Sequence, residues 1–356
     1  MSEALGYELN EHEVITEDGY VLKLFHHPGT DKRRKPVLLL HGIIDSAETF
    51  LVRGKTSLVG ALIGAGYSVW SGNVRGSRYG RNHVSLNPDR DKMFWDFSFH
   101  EIGHYDLPAL IDFVVNKTGH PQVCAIGHSL GNSVFYVLGS TRPEYNDKIS
   151  VLIALSPVCF IHHVKPPISA LALSGPWLSY IFELIGNEEV FGDHTKLKML
   201  LRAIFESDIG YDFFTRGMIS QITGSDPEEL ELDFFPTVLA HYPTGTSRKN
   251  LVHLYQGYLL MNFSYFDYGI NNMKVYESAF PPKYDLSKVK MRIVLFAGKN
   301  DRLSTIPDVK LLYKILPNAE YFIVPHQKLN HVDTVWGRNM AKYLFPHIMK
   351  VLDKML

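Results

Sequence analysis

Cysteine is nearly absent from this sequence. The 356-residue chain holds two, Cys124 and Cys159. That is too few for a disulfide framework, and each falls in or just after an apolar run, which predicts free core thiols. An excess of charge of one sign is missing as well. Lys and Arg total 36 against 37 Asp and Glu, for a net charge of −1, which leaves no electrostatic footprint for nucleic acid. The one basic run, Lys32 to Lys35, lies between two apolar stretches and reads as a solvated turn. Long unbroken hydrophobic runs are lacking. The most apolar stretch, Ile168 to Gly186, is interrupted by Gly175, Pro176 and Glu183, so no integral membrane span is expected. The N-terminal residues carry scattered acids and no apolar core, so they do not read as a signal peptide. Internal repeats and low-complexity segments are missing too.

What is present is the composition of a globular protein with a full core: 46% hydrophobic and 21% charged residues. Short β-rich runs recur at Glu13–Thr16, Val21–His26, Val37–His41, Tyr67–Ser71, Val123–Ile126, Val151–Leu155, Arg292–Ala297 and Tyr321–Val324. The first two, joined through Asp18-Gly19, read as a hairpin. Helix-like stretches such as Leu107–Asn116 and Asn132–Leu138 lie between later ones. Continuous apolar runs alternating with helical periodicity predict an α/β fold, a mostly parallel sheet covered on both faces. The rhythm breaks once, for about 130 residues between Ser156 and Met291. A gap that long is too large for a loop and predicts an inserted helical cap. The expected division is an α/β core over 1–157 and 289–356 with a cap over 158–288.

One motif supplies chemistry. Gly127-His128-Ser129-Leu130-Gly131 follows a predicted strand and opens a predicted helix. By chance alone G-x-S-x-G turns up in roughly one chain in ten of this length, but the strand-to-helix setting is that of a nucleophile elbow. A serine hydroxyl needs a base to take its proton and an acid to orient that base. The strand Ile293–Ala297 leads to Asp301, and the strand Tyr321–Val324 leads to His331, which gives the order Ser, Asp, His. Asp308 is a rival acid, although Pro307-Asp308 reads as the first turn of a helix, where the carboxylate serves the dipole. His326 is the second-ranked base. His128 reads as packing beside the strand. The oxyanion of a tetrahedral intermediate needs two main-chain donors. Leu130, after the nucleophile, offers one, and Ile43, after His41-Gly42, offers the other. The pairs His26-His27 and His162-His163 lack metal-ligand spacing, so neither metal nor cofactor is expected.

Longer stretches carry a resemblance. His41–Ser46, AGYSVWSGNVRGSRYGRNH, FWDFSFHEIGHYDLPALIDFVVNKTG, GHSLG, HYPTGTSRKNLVHLYQGYL, FDYGINN, AGKNDRLS and LNHVDT all look like the acid lipase family of gastric and lysosomal lipases, in the same order and over nearly the whole chain. The resemblance implies an α/β-hydrolase fold with Ser129, Asp301 and His331 as triad and the Ile43 and Leu130 amides as oxyanion hole. It implies hydrolysis of acylglycerols or sterol esters, without cofactor, at a lipid surface. Two departures stand out: Leu130 replaces the family's usual Gln, and the cap cysteines that digestive members pair are absent. With its diverged cap the chain looks more like an insect or other invertebrate branch. Sequons at Asn116 and Asn262 point to a secreted or endomembrane-lumenal glycoprotein, and a cytoplasmic location stays open. An acyltransferase on the same triad, or a non-catalytic lipid-binding protein on this scaffold, are the competing functions.

Overall fold

In the computed structural model, all residues are described except 1, 3, 4, 185–187, 196, 197, 200–216, 218 and 356. Strands β1 (Asn10–Ile15) and β2 (Val21–His27) form the antiparallel hairpin. The chain then runs through β3 (Val37–Leu40), helix α1 (Leu58–Gly64), β4 (Val69–Gly72), α2 (Leu107–Thr118), β5 (Val123–His128), α3 (Leu130–Thr141) and β6 (Ile149–Leu155). It leaves the sheet there for α4 (Ile168–Leu184), β7 (Glu189–Val190), α5 (Phe235–His241), β8 (Thr246–Ser247) and α6 (Arg248–Leu259). It rejoins at β9 (Ile293–Ala297), followed by α7 (Ile306–Ile315), β10 (Ala319–Ile323) and α8 (Phe345–Leu352).

The strand order of the large sheet is β1-β2-β4-β3-β5-β6-β9-β10. Only the contacts of β2 with β1 and β4 are antiparallel; the rest of the sheet is parallel. Period-two alternation divides each central strand between two cores. Leu38, Leu40, Ala125, Leu152 and Leu295 belong to one, and Val37, Leu39, Cys124, Ile126, Ile153 and Phe296 to the other. Both faces are therefore dry, which is why these strands read as unbroken apolar runs. The helices end where the sequence stops supporting them. The helix that ends as α2 begins at Phe99 and passes through a π-helical stretch at Ile102–Asp106, and Gly119, at φ +73°, closes it in the left-handed region.

β3 lies between β4 and β5, so the chain path reverses direction across the sheet at the β3–β5 pair. Ligands in open α/β sheets bind beyond the carboxyl ends of the strands at such a switch point. The stretches that leave β3, β5, β9 and β10 are those that carry Ile43, Ser129, Asp301 and His331.

The residues between β6 and β9 are tied to the rest of the chain by ion pairs: Arg78 with Asp193, Arg81 with Glu189, Arg53 with Glu231 and Lys249 with Asp96. Their side chains keep between 8% and 54% of their surface exposed, and partly solvated pairs contribute about 0–1 kcal/mol each. Buried contacts do more. His253 of α6 is 2% exposed, stacks on Phe99 at 3.9 Å, and bridges the Ser98 hydroxyl and the Ser264 carbonyl, each at 2.9 Å.

Candidate active site

Ser129 is the last residue before α3 and sits at φ 54°, ψ −123°, a conformation few non-glycine residues adopt. Such strain persists only where its surroundings over-determine it. Here the Ser129 amide donates to the Leu155 carbonyl at 3.1 Å, while the Asn132 side chain donates to the carbonyls of Ser129 and Leu155 at 3.1 and 3.0 Å. The flanking glycines are needed for space. A Cβ on Gly131 would lie 2.6 Å from the carbonyl oxygens of Leu40 and His41, and one on Gly127 would lie 2.4 Å from the Asn132 side chain. Asn132 escaped the sequence reading, although a polar residue one turn into an apolar helix was its signal.

The three residues expected from chain order converge. His331 Nε2 is 2.7 Å from Ser129 Oγ, and His331 Nδ1 is 3.0 Å from each carboxylate oxygen of Asp301. All three are buried, Ser129 at 8% exposure, Asp301 at 6% and His331 at 3%. Asp301 also caps its own turn, with Oδ1 accepting from the amides of Leu303 and Ser304 at 2.9 and 2.7 Å. Its carboxylate makes both sets of contacts, and the turn holds it facing the imidazole. The His331 loop is pinned from either side. Its amide donates to the Thr223 carbonyl at 3.0 Å, and its carbonyl accepts from His128 Nε2 at 3.0 Å.

His128 thus packs beside the strand, as expected, and also fixes the backbone of His331. Burial first, and the neighbouring His331 second, pull its imidazole down to about 3, so it stays neutral and its Nε2–H donates. His41 is neutral too, pulled down to about 4 by burial. Its Nε2 accepts the Val74 amide at 3.3 Å, which leaves the proton on Nδ1 to donate to the Gly42 carbonyl at 2.8 Å. The next turn runs directly against the serine, since a Cβ on Gly42 would be 3.1 Å from Ser129 Cβ. Ile43 follows Gly42 in that turn. Leu130 opens α3, where the first amides have no partner within the helix.

The rivals lie elsewhere. His326 Nε2 pairs with buried Asp226 and its ring stacks on Tyr343 at 4.7 Å. Asp308 does occupy the first turn of α7, exchanging hydrogen bonds with Thr305, but its role exceeds that of a dipole partner. It is 2% exposed and its carboxylate accepts the amides of His162 and His163 and bonds His163 Nδ1 at 2.7 Å. Chain positions nearly 150 residues apart meet there, which no local pattern reveals. His26 stacks on Trp70 at 3.7 Å and His27 meets the Ser2 hydroxyl at 3.0 Å. Among the described residues no group of three or more His, Cys, Asp or Glu could hold a metal. Cys124 and Cys159 are both free and buried. Asn116 is exposed near the end of α2, whereas Asn262 is half-buried with its side-chain nitrogen donating to the Leu260 carbonyl at 2.8 Å.

Residues 1–54 match the family described as "Partial alpha/beta-hydrolase lipase region", and residues 35–184 match "alpha/beta hydrolase fold". Lipase 1 of Drosophila melanogaster is 37% identical, over 98% of this chain and 78% of its own. Gastric triacylglycerol lipase of Homo sapiens is 32% identical, over 98% of this chain and 89% of its own. Among solved structures, a thermophilic esterase from Thermogutta terrifontis superposes with a TM-score of 0.58 over 97% of this chain and 99% of that one, at 12% identity, a likeness of fold alone.

Proposed function

The chain belongs to the acid lipase family of α/β-hydrolases, and from that premise we propose that it hydrolyses lipid esters, acylglycerols or sterol esters, through an acyl-enzyme on Ser129. The observation that carries the reading is the unbroken hydrogen-bond line from Ser129 Oγ through the His331 ring to Asp301, at 2.7 and 3.0 Å. Each role follows from that line. His331 Nε2 takes the hydroxyl proton as Ser129 Oγ attacks the acyl carbonyl, and the Asp301 carboxylate holds the proton on Nδ1 so that Nε2 is free to accept. Negative charge gathers on the former carbonyl oxygen, where the Leu130 and Ile43 amides receive it. Both side chains are apolar and keep water out. His331 next protonates the departing alcohol, and a water deprotonated by the same nitrogen frees the acid.

In this reading residues 158–288 form a cap over the site, with α4 facing the lipid. Supporting this, α4 leaves Leu171, Leu173, Trp177 and Tyr180 between 51% and 66% exposed, an apolar surface of the kind that enters an interface. The end of the apolar stretch, residues 185–186, lies outside the described residues. No helix among the described residues is long and apolar enough to cross a membrane, so contact with lipid would be peripheral. Secretion or an endomembrane lumen is the compartment proposed, with exposed Asn116 the better acceptor for a glycan. The direct test is a panel of acyl esters from acetate to oleate, assayed with purified protein from acid to alkaline pH. Turnover that increases with chain length supports a lipase. Turnover confined to the short esters contradicts it, and acyl transfer to an added alcohol that outruns hydrolysis points to the transferase.

A further inference from the structure

We propose that Thr244, in the segment joining α5 to α6, is a positioning residue for the oxyanion-binding turn, so that this segment governs the chemical step rather than substrate affinity. The inference rests on the reading of Ile43 as an oxyanion donor. That turn leaves β3 at Leu40 and enters the site at Gly42, wedged against Ser129. Two residues on, Ile44 has a φ of 49°. A β-branched side chain in the left-handed region is a strained outlier, and only outside contacts keep it there.

Thr244 supplies those contacts. Its amide donates to the Ile44 carbonyl at 2.8 Å, and its hydroxyl donates to the Asp45 carbonyl at 2.6 Å. Beyond them, the Ser46 amide is held by the Asp45 carboxyl at 2.8 Å and the Ala47 amide by the Asn73 side chain at 2.9 Å. The peptide that carries the Ile43 N–H therefore spans two fixed ends, the Gly42–Ser129 contact and the Thr244 clamp. A donor must sit within a few tenths of an ångström of the developing oxyanion to act fully, so a clamp on the next peptides shapes the rate.

The clamp is itself anchored. Thr244 is fully buried, Tyr242 packs edge-on against Trp336 at 5.1 Å, and the Ser247 hydroxyl donates to the Phe97 carbonyl. A Cβ on Gly245 would come within 2.6 Å of the Gly76 carbonyl oxygen, so backbone lies directly on backbone there. Although this segment falls inside the proposed cap, its contacts join it to the catalytic core. A rearrangement of α4 at a lipid surface would leave it in place.

The test compares Thr244→Val, which keeps the volume and removes the donor, with Thr244→Ser, which keeps the donor. On a soluble short-chain ester, Val should lower kcat about 10- to 100-fold with KM nearly unchanged, and Ser should restore it to within about three-fold of wild type. The inhibition constant of a trifluoromethyl ketone, which forms a charged tetrahedral adduct, should rise by the same factor as kcat/KM falls. Affinity for an uncharged, non-reacting ester analogue should not move, which a merely structural role would not predict. Wild-type kcat in Thr244→Val, or a loss carried by KM alone, overturns the inference. If the Val variant does not fold, Thr244→Cys, a weaker donor of similar size, should give a kcat clearly below that of Thr244→Ser, and wild-type kcat there overturns it equally. A wild type that a fluorophosphonate fails to label at Ser129 removes the catalytic reading itself. A labelled wild type beside an unimpaired Thr244→Val removes this inference only.

Discussion

Replacing His253 by Gln should make the protein less stable in mild alkali and almost harmless in mild acid. His253 is buried between α6 and the Ser98-Phe99 stretch, and burial pulls its imidazole from 6.5 down to about 4. In the unfolded chain it takes a proton as pH falls through 6.5; in the folded protein it does not. The unfolded state then binds more protons, so this residue's contribution to stability is fully present above 6.5 and declines as pH falls toward 4. At about pH 5 the ring kept neutral costs the wild type about 2 kcal/mol relative to about pH 8. Gln does not titrate. At about pH 8 the substitution should cost about 1–3 kcal/mol, for the lost stack on Phe99 and one imperfectly replaced hydrogen bond. At about pH 5 that gap should shrink by about 2 kcal/mol. Urea denaturation of both proteins at the two pH values measures it. Because the quantity is a difference between variants, buried carboxyls that titrate in the opposite sense, such as Asp45, raised to about 7 by burial, cancel. A gap that stays constant or widens in acid would refute the reasoning, since His253 would then be accepting its proton inside the fold.

Asp301→Asn should lower kcat by about four orders of magnitude by favouring the wrong imidazole tautomer. Asp308→Asn should keep kcat within about three-fold and cost about 1–3 kcal/mol in a denaturant melt, because two amides and His163 lose a buried acceptor charge; the reverse pattern in kcat would mean the acid is misplaced. For α4, activity on a long-chain ester should rise sharply once that ester forms an interface. Trp177→Ser should blunt the rise while sparing a soluble short-chain ester, and equal losses on both would mean a cap that does not engage lipid.

The parallel sheet was legible because its central strands are buried on both faces, so continuous runs such as Val37–Leu40 leave no polar residue to confuse the pattern. Boundaries moved where pairing, not composition, decides them. β1 begins at Asn10 rather than Glu13, because alternate residues of a hairpin edge strand face water and read as loop. In the site, Ser129, Asp301 and His331 could be placed from chain order, since each follows the end of its own strand. Their supports could not. His128 holding the His331 carbonyl and Thr244 holding Ile44 each join residues about 200 positions apart. Such contacts arise only when the folded chain brings distant loops together, and a threonine or histidine in isolation carries no sign of its partner. Sequence order thus marks the serine, aspartate and histidine that converge, while the groups that hold them come from packing.

The central claim is that Ser129 is the nucleophile, and covalent labelling tests it most directly. Wild type treated with a fluorophosphonate should gain one adduct, and peptide mass mapping should place it on the peptide that contains Gly127-His128-Ser129. Ser129→Ala should take no label and lose turnover by about five to six orders of magnitude, with an unchanged melting temperature, because only a hydroxyl is gone. An adduct on a different residue, together with full ester hydrolysis by Ser129→Ala, would contradict the account.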